Sequence, residues 1–228
     1  MLDLPQIFQV SQKCPGAILV PAMSADGNPP IIYRDLYMLA MKFVADFSTV
    51  DIEMGILLVG IMGGEVAPAI CAYLVGQGSR QMGKMVAAIA EHGMPESEGK
   101  LYRWLLDRHQ SLAKWRHLLA HGCICQSPNY TDALMVGTSE SVISSFAMKG
   151  ALRYNEKWFE SAYIFQESEL LALIKCAHRL AHLVRISGDG FLRPELKLPV
   201  GQRFDLLLKE PEYVAWALQM GKTSKPAP

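Results

Sequence analysis

Apolar residues recur at helical spacing along most of this chain. From Arg34 onward, Leu36, Leu39, Phe43 and Phe47 fall on one face and predict a helix. Ser48-Thr49-Val50-Asp51 reads as a cap cluster opening a second helix that runs to about Met62. Gly63-Gly64 punctuates the pattern, and Glu65 opens another helix reaching Val75. After Gly76-Gln77-Gly78, a short helix is expected from Arg80 to Ala90, stopped by Gly93-Met94-Pro95. The clearest helix comes next. Leu101, Leu105, Leu112, Trp115 and Leu119 form its apolar stripe, and Glu96 and Glu98 suit the positive end of its dipole. Gly122, directly after His121, reads as a C′ glycine.

From Cys123 to about Ile164 the character changes. Pro128, Asn129, Gly137 and Gly150 separate short β-favouring pieces, DALMVG and SVISSFAM, which predict one or two small hairpins. Helical period returns at Glu167, with Leu170, Ile174, Ala177, Ala181 and Val184 on one face, and Gly188-Asp189-Gly190 is expected to end it. A last short helix is expected near Glu212 to Gln219. The fold class is therefore mainly α. Residues 1–33, rich in Pro, Gly and Ser and ending in Asn28-Pro29-Pro30, read as an irregular N-terminal arm. Residues 34–190 read as one helical domain with a hairpin insertion near 123–164. Residues 191–228 read as a C-terminal extension with one short helix and a flexible tail.

Half of the 228 residues are hydrophobic, enough to bury a substantial core. The 22 basic and 22 acidic residues balance, which argues against a nucleic-acid-coating protein held by counterion release, though not against a local basic patch. The five cysteines, an odd number and mostly in apolar runs, point to reduced thiols and a cytoplasmic setting. The opening MLDLPQIFQV carries an acid and no basic stretch, so a signal peptide is not expected. The apolar run from Met54 to Gln77 is interrupted by Glu65, Pro68 and Gly63-Gly64, so a buried helix pair is expected there and no membrane contact.

The segment richest in chemistry is Lys114-Trp115-Arg116-His117-Leu118-Leu119-Ala120-His121-Gly122. His117 and His121 share a helix face, while Arg116 and His121 sit roughly 140° apart around the axis. A guanidinium that grips phosphate bidentately, beside imidazoles that move protons near neutral pH, supplies the minimum parts for metal-free phosphodiester cleavage. Basic residues at this place also complement a helix C-terminus without any catalytic role.

With Arg116, the polar His117 and then His121 in Leu-Ala-His-Gly at the end of a core helix, the chain resembles bacterial members of the HEPN family (higher eukaryotes and prokaryotes nucleotide-binding domains). The resemblance covers roughly residues 34–185. It implies an antiparallel bundle of four to six helices that forms a homodimer through the motif helix. Active members are metal-independent endoribonucleases, often toxins or defence effectors paired with an antitoxin protein, and need no cofactor. The resemblance makes His121 the acid/base acting on the ribose 2′-hydroxyl, Arg116 the group stabilising phosphate charge, and His117 an orienting residue. A supporting acid from the second helix, Asp51 or Glu53, would fix the tautomer of the motif histidine. Other members are non-catalytic, so a helical interaction module binding a protein partner or small ligand stays open beside the RNA-directed reading.

Two further patterns carry less. The pairs His117/His121 and His178/His182 would offer four imidazoles to a metal if their helices packed together, but no glutamate follows the first histidine as a zinc-protease pattern requires, so no metal site is assigned. Gly78 to Lys84 follows phosphate-loop spacing, but Met85 stands where a magnesium-binding hydroxyl is needed, so nucleotide hydrolysis is rejected.

Overall fold

A computed structural model describes residues 4–14, 17–21, 34–62, 96–127, 129–137, 152–153, 162–192 and 207–223. The helices expected within 65–90, the phosphate-loop-like segment and the SVISSFAM piece lie outside them. The described elements run α1 (Val10–Lys13), β1 (Ile18–Pro21), α2 (Arg34–Met62), α3 (Glu96–His121), β2 (Cys123–Ser127), β3 (Tyr130–Gly137), β4 (Leu152–Arg153), β5 (Tyr163–Gln166), α4 (Glu167–Leu192) and α5 (Pro211–Thr223). The protein is mostly helical, as its apolar periodicity predicts, with a small antiparallel sheet. No described helix is long and apolar enough to cross a membrane.

Two helix boundaries differ from the sequence reading, and a third agrees with it for a different physical reason. The two helices expected across 34–62 are one helix of 29 residues. Ser48 and Thr49 sit on its exposed side, and Val50, Met54, Leu57 and Leu58 carry on the buried stripe of Phe43 and Phe47. Hydroxyls facing outward do not interrupt a helix that packs along its whole length. α4 continues through Gly188 to Leu192. Gly188 is buried, and a β-carbon there would make ordinary contacts of 3.7 Å with Ile56 Cγ2 and Leu57 Cα, so the helix carries the glycine's cost of about 1 kcal/mol without a steric need for it. α3 ends at His121, but Gly122 is not there for a left-handed backbone. A β-carbon on it would meet the Leu118 carbonyl at 2.3 Å, Val136 Cγ1 at 2.6 Å and the Gly137 carbonyl at 2.9 Å. Only glycine fits where the helix end abuts the hairpin.

The chain forms two compact units, each assembled from distant stretches: Ser48–Leu112 with Cys176–Pro228, and Leu4–Phe47 with Ala113–Lys175.

The first unit is helical. Leu101, Trp104 and Leu105 of α3, Leu57 of α2, and Leu180, Leu183 and Val184 of α4 are buried. Pro211 opens α5 at the position where its missing N–H costs nothing. Tyr213 then packs edge-on against Trp104, with ring centroids 5.6 Å apart. Two polar contacts cross between helices: Arg185 Nε donates to Glu53 Oε1 at 2.7 Å, and Asp51 Oδ1 lies 2.8 Å from His109 Nε2.

The second unit holds the sheet, in the order β4-β1-β2-β3-β5, every neighbour antiparallel. The expected hairpin is present as β2-β3, with Cys123 opposite Gly137 and Cys125 opposite Met135. It does not stand alone. The segment read as an irregular arm supplies β1, whose Val20 pairs with Gln126. Residues just before it close the other edge: Ile164 N–H donates to the Phe8 carbonyl at 3.0 Å, and Val10 N–H to the Ala162 carbonyl at 2.9 Å. Five successive residues of β3, Ala133 to Gly137, are buried, the mark of a strand covered on both faces. On one face, Val10, Cys14 and Ala17 pack with Cys125, Ala133, Met135 and Ile164. On the other, Trp115 of α3 meets Tyr163 and Phe165 edge-on, at 5.1 and 5.8 Å between centroids.

Candidate functional site

The last turns of α3 display the motif. Leu112, Leu118 and Leu119 are buried and hold the helix down, so the opposite side faces outward. His117 and His121 are both exposed, with ring centroids 4.9 Å apart and planes inclined at 55°. Successive helical turns place them there, as the spacing of four dictates.

Arg116 is half-buried on the flank of this face. Its Nε is enclosed and has no hydrogen-bond partner among the described residues. A buried guanidinium donor without an acceptor is a costly arrangement unless an anion satisfies it.

Lys114 was not singled out by sequence, yet it belongs to the face. Residues 114, 117 and 121 fall within roughly 60° of one another around an ideal helix, and all three are exposed. Its Nζ lies 4.7 Å from the Trp115 ring centroid and 5.4 Å from that of Tyr163. Two aromatic rings thus hold a positive charge beside the imidazole pair. The i, i+3, i+7 spacing with the histidines was the signal available for it.

The supporting acids are engaged elsewhere. Asp51 pairs with His109, a histidine the sequence reading passed over, whose side chain is 2 % exposed. Glu53, itself buried, pairs with Arg185. Both acids and both partners belong to the first unit, and the motif to the second.

No three His, Cys, Asp or Glu side chains among the described residues come together to hold a metal ion. His178 and His182 are each exposed on α4. The electrostatics at the start of β2 are more pronounced. The Cys123 thiol is held below its usual range by a hydrogen bond from Cys125, and the same contact together with burial drives Cys125 far upward. Burial, then the Asp132 carboxylate, raises Cys14.

Comparison with protein-family models, curated proteins and solved structures found no match to this chain.

Proposed function

We propose that the face formed by Lys114, Arg116, His117 and His121 binds RNA and cleaves it without a metal ion. One observation carries this reading. Two exposed imidazoles stand 4.9 Å apart beside an arginine whose buried Nε has no acceptor among the described residues. Cleavage of an RNA phosphodiester needs a base to take the 2′-hydroxyl proton and an acid to protonate the departing 5′-oxygen. It also needs fixed positive charge where the phosphorane accumulates negative charge. His121 supplies the base, as the HEPN resemblance suggests, and His117 orients the substrate or returns the proton. Arg116 and Lys114 supply the charge. On the same resemblance, the protein works as a homodimer through α3, within reach of an antitoxin partner.

The test is RNA cleavage in EDTA, wild type beside His121→Ala and Arg116→Ala, with circular dichroism to verify folding. Wild type is expected to leave 2′,3′-cyclic phosphate ends, and each variant to lose about a hundredfold or more in rate. RNA bound tightly but left intact would replace cleavage with binding. Neither binding nor cleavage over varied RNAs would remove the proposal, leaving the motif as a helix-end charge pattern.

A further inference from the structure

His117 and His121 are exposed on successive turns of α3, and their ring centroids stand 4.9 Å apart. That separation suits more than proton transfer. A divalent transition metal binds an imidazole nitrogen at about 2.0–2.1 Å, and the ring centre lies roughly 1.2 Å farther along the same line. Two imidazoles sharing one ion at an angle of about 90–110° therefore have centroids about 4.5–5.3 Å apart. The observed spacing falls inside that interval. The planes are inclined at 55°, and both rings are exposed, so turning about the side-chain bonds brings one nitrogen of each onto a common point.

The backbone behind the pair is held in place. Leu118 and Leu119, between the two histidines, are only 8 % and 1 % exposed, and the Gly122 N–H closes the last turn on the Leu118 carbonyl at 2.7 Å. Two ligands on a fixed scaffold act as a chelate: once one nitrogen has bound, the second is already at high effective concentration. His121 is also the last residue of α3, where aligned peptide dipoles leave about half a negative charge and favour a cation. Lys114 on the same face and Arg116 on its flank oppose one. Their repulsion selects an ion with strong affinity for nitrogen bases, and among divalent first-row ions that affinity peaks at copper. Magnesium and calcium, which take oxygen ligands, gain nothing here.

We propose that His117 and His121 chelate a divalent transition-metal ion, copper(II) ahead of nickel or zinc, with water completing its coordination. Two protein ligands suffice, so the site needs no cluster of three metal-binding side chains. Each imidazole gives a lone pair to the ion; no bond breaks and no electron is transferred. An occupied chelate takes the lone pairs on which metal-free RNA cleavage depends, so the ion and that reaction exclude one another on this face. This consequence rests on the ribonuclease reading; the chelation rests on the geometry of α3 alone.

The test titrates copper(II) into metal-free, full-length protein, with calorimetry for affinity and electron paramagnetic resonance for the ligands. The tightest site is expected to take a single ion per chain and to show nitrogen coupling from both imidazoles. His117→Ala and His121→Ala are each expected to weaken it about tenfold or more, the loss of the chelate. His178→Ala with His182→Ala, which removes the equally spaced pair exposed on α4, is expected to leave it in place. Excess magnesium is expected not to compete. The wild-type spectrum decides the matter even if a variant does not fold: no bound copper, or copper without two nitrogen ligands, would overturn the proposal. A tightest site that survives both α3 substitutions, or that disappears with His178 and His182, would overturn it equally. No RNA is present in this experiment, so its outcome and that of the cleavage assay are read separately.

Discussion

Tyr102 lies buried on α3, and desolvation, reinforced by Glu98, pushes its phenol from the usual 10 up to about 12. The folded value exceeds the unfolded one, so the folded protein holds this proton more tightly. The associated stability is present below pH 10 and is lost as the pH rises toward 12. The rise to about 12 corresponds to roughly 2–3 kcal/mol over that window. Tyr102→Phe should flatten the alkaline decline in urea-unfolding free energy relative to wild type. Matching declines in the two proteins would mean that another group sets it. At the same scale, Gly122 shows how one residue is right for a reason its neighbours in sequence do not reveal. Its place after a helix was legible, while the Val136 side chain and Gly137 carbonyl that exclude a β-carbon come from the next strand.

The long helices were legible as elements because every backbone hydrogen bond of a helix closes within four residues, so the pattern that makes it is local. α3 appears with the bounds its stripe implies, from Glu96 to His121. α4 begins where expected, with Glu169 accepting the Gln166 N–H at 2.9 Å in half of a capping box. What a helix bonds to was less legible. The family resemblance makes Asp51 or Glu53 a support for the motif histidine, whereas the packing of α2 on α3 sets Asp51 against His109. A double-mutant cycle of Asp51→Ala and His109→Ala should return a coupling energy of about 1–3 kcal/mol in thermal or urea unfolding. Additive single effects would show that the two side chains are merely near each other.

Across the described residues, the sheet depends on pairings between segments that lie far apart in the chain. β1 reaches β2 through Val20 and Gln126, and Phe8 to Val10 close the edge of β5. Non-local pairing of this kind carries a loop-closure cost before any contact forms, and it slows folding. Removing the chain through Pro21 should strip one edge from β2 and another from β5 and uncover Cys125, Met135 and Ile164. Hydrogen exchange should then show amides of Cys123–Ser127 and Tyr163–Gln166 losing protection by an order of magnitude or more. Unchanged protection would mean that the three strands β2, β3 and β5 suffice by themselves.

The sequence by itself determined the helical character of the chain, the extent of α3, the presence of the hairpin after it, and the shared face of His117 and His121. All of these follow from periodicities of a few residues. Only the tertiary structure decided that Phe8 to Val10 and Ile18–Pro21 pair with the sheet, that Asp51 and Glu53 face His109 and Arg185, and that Cys125 is buried while Cys123 is half-buried. Strand partners and polar contacts between helices are chosen by which distant surfaces can be desolvated together. No local pattern encodes that choice.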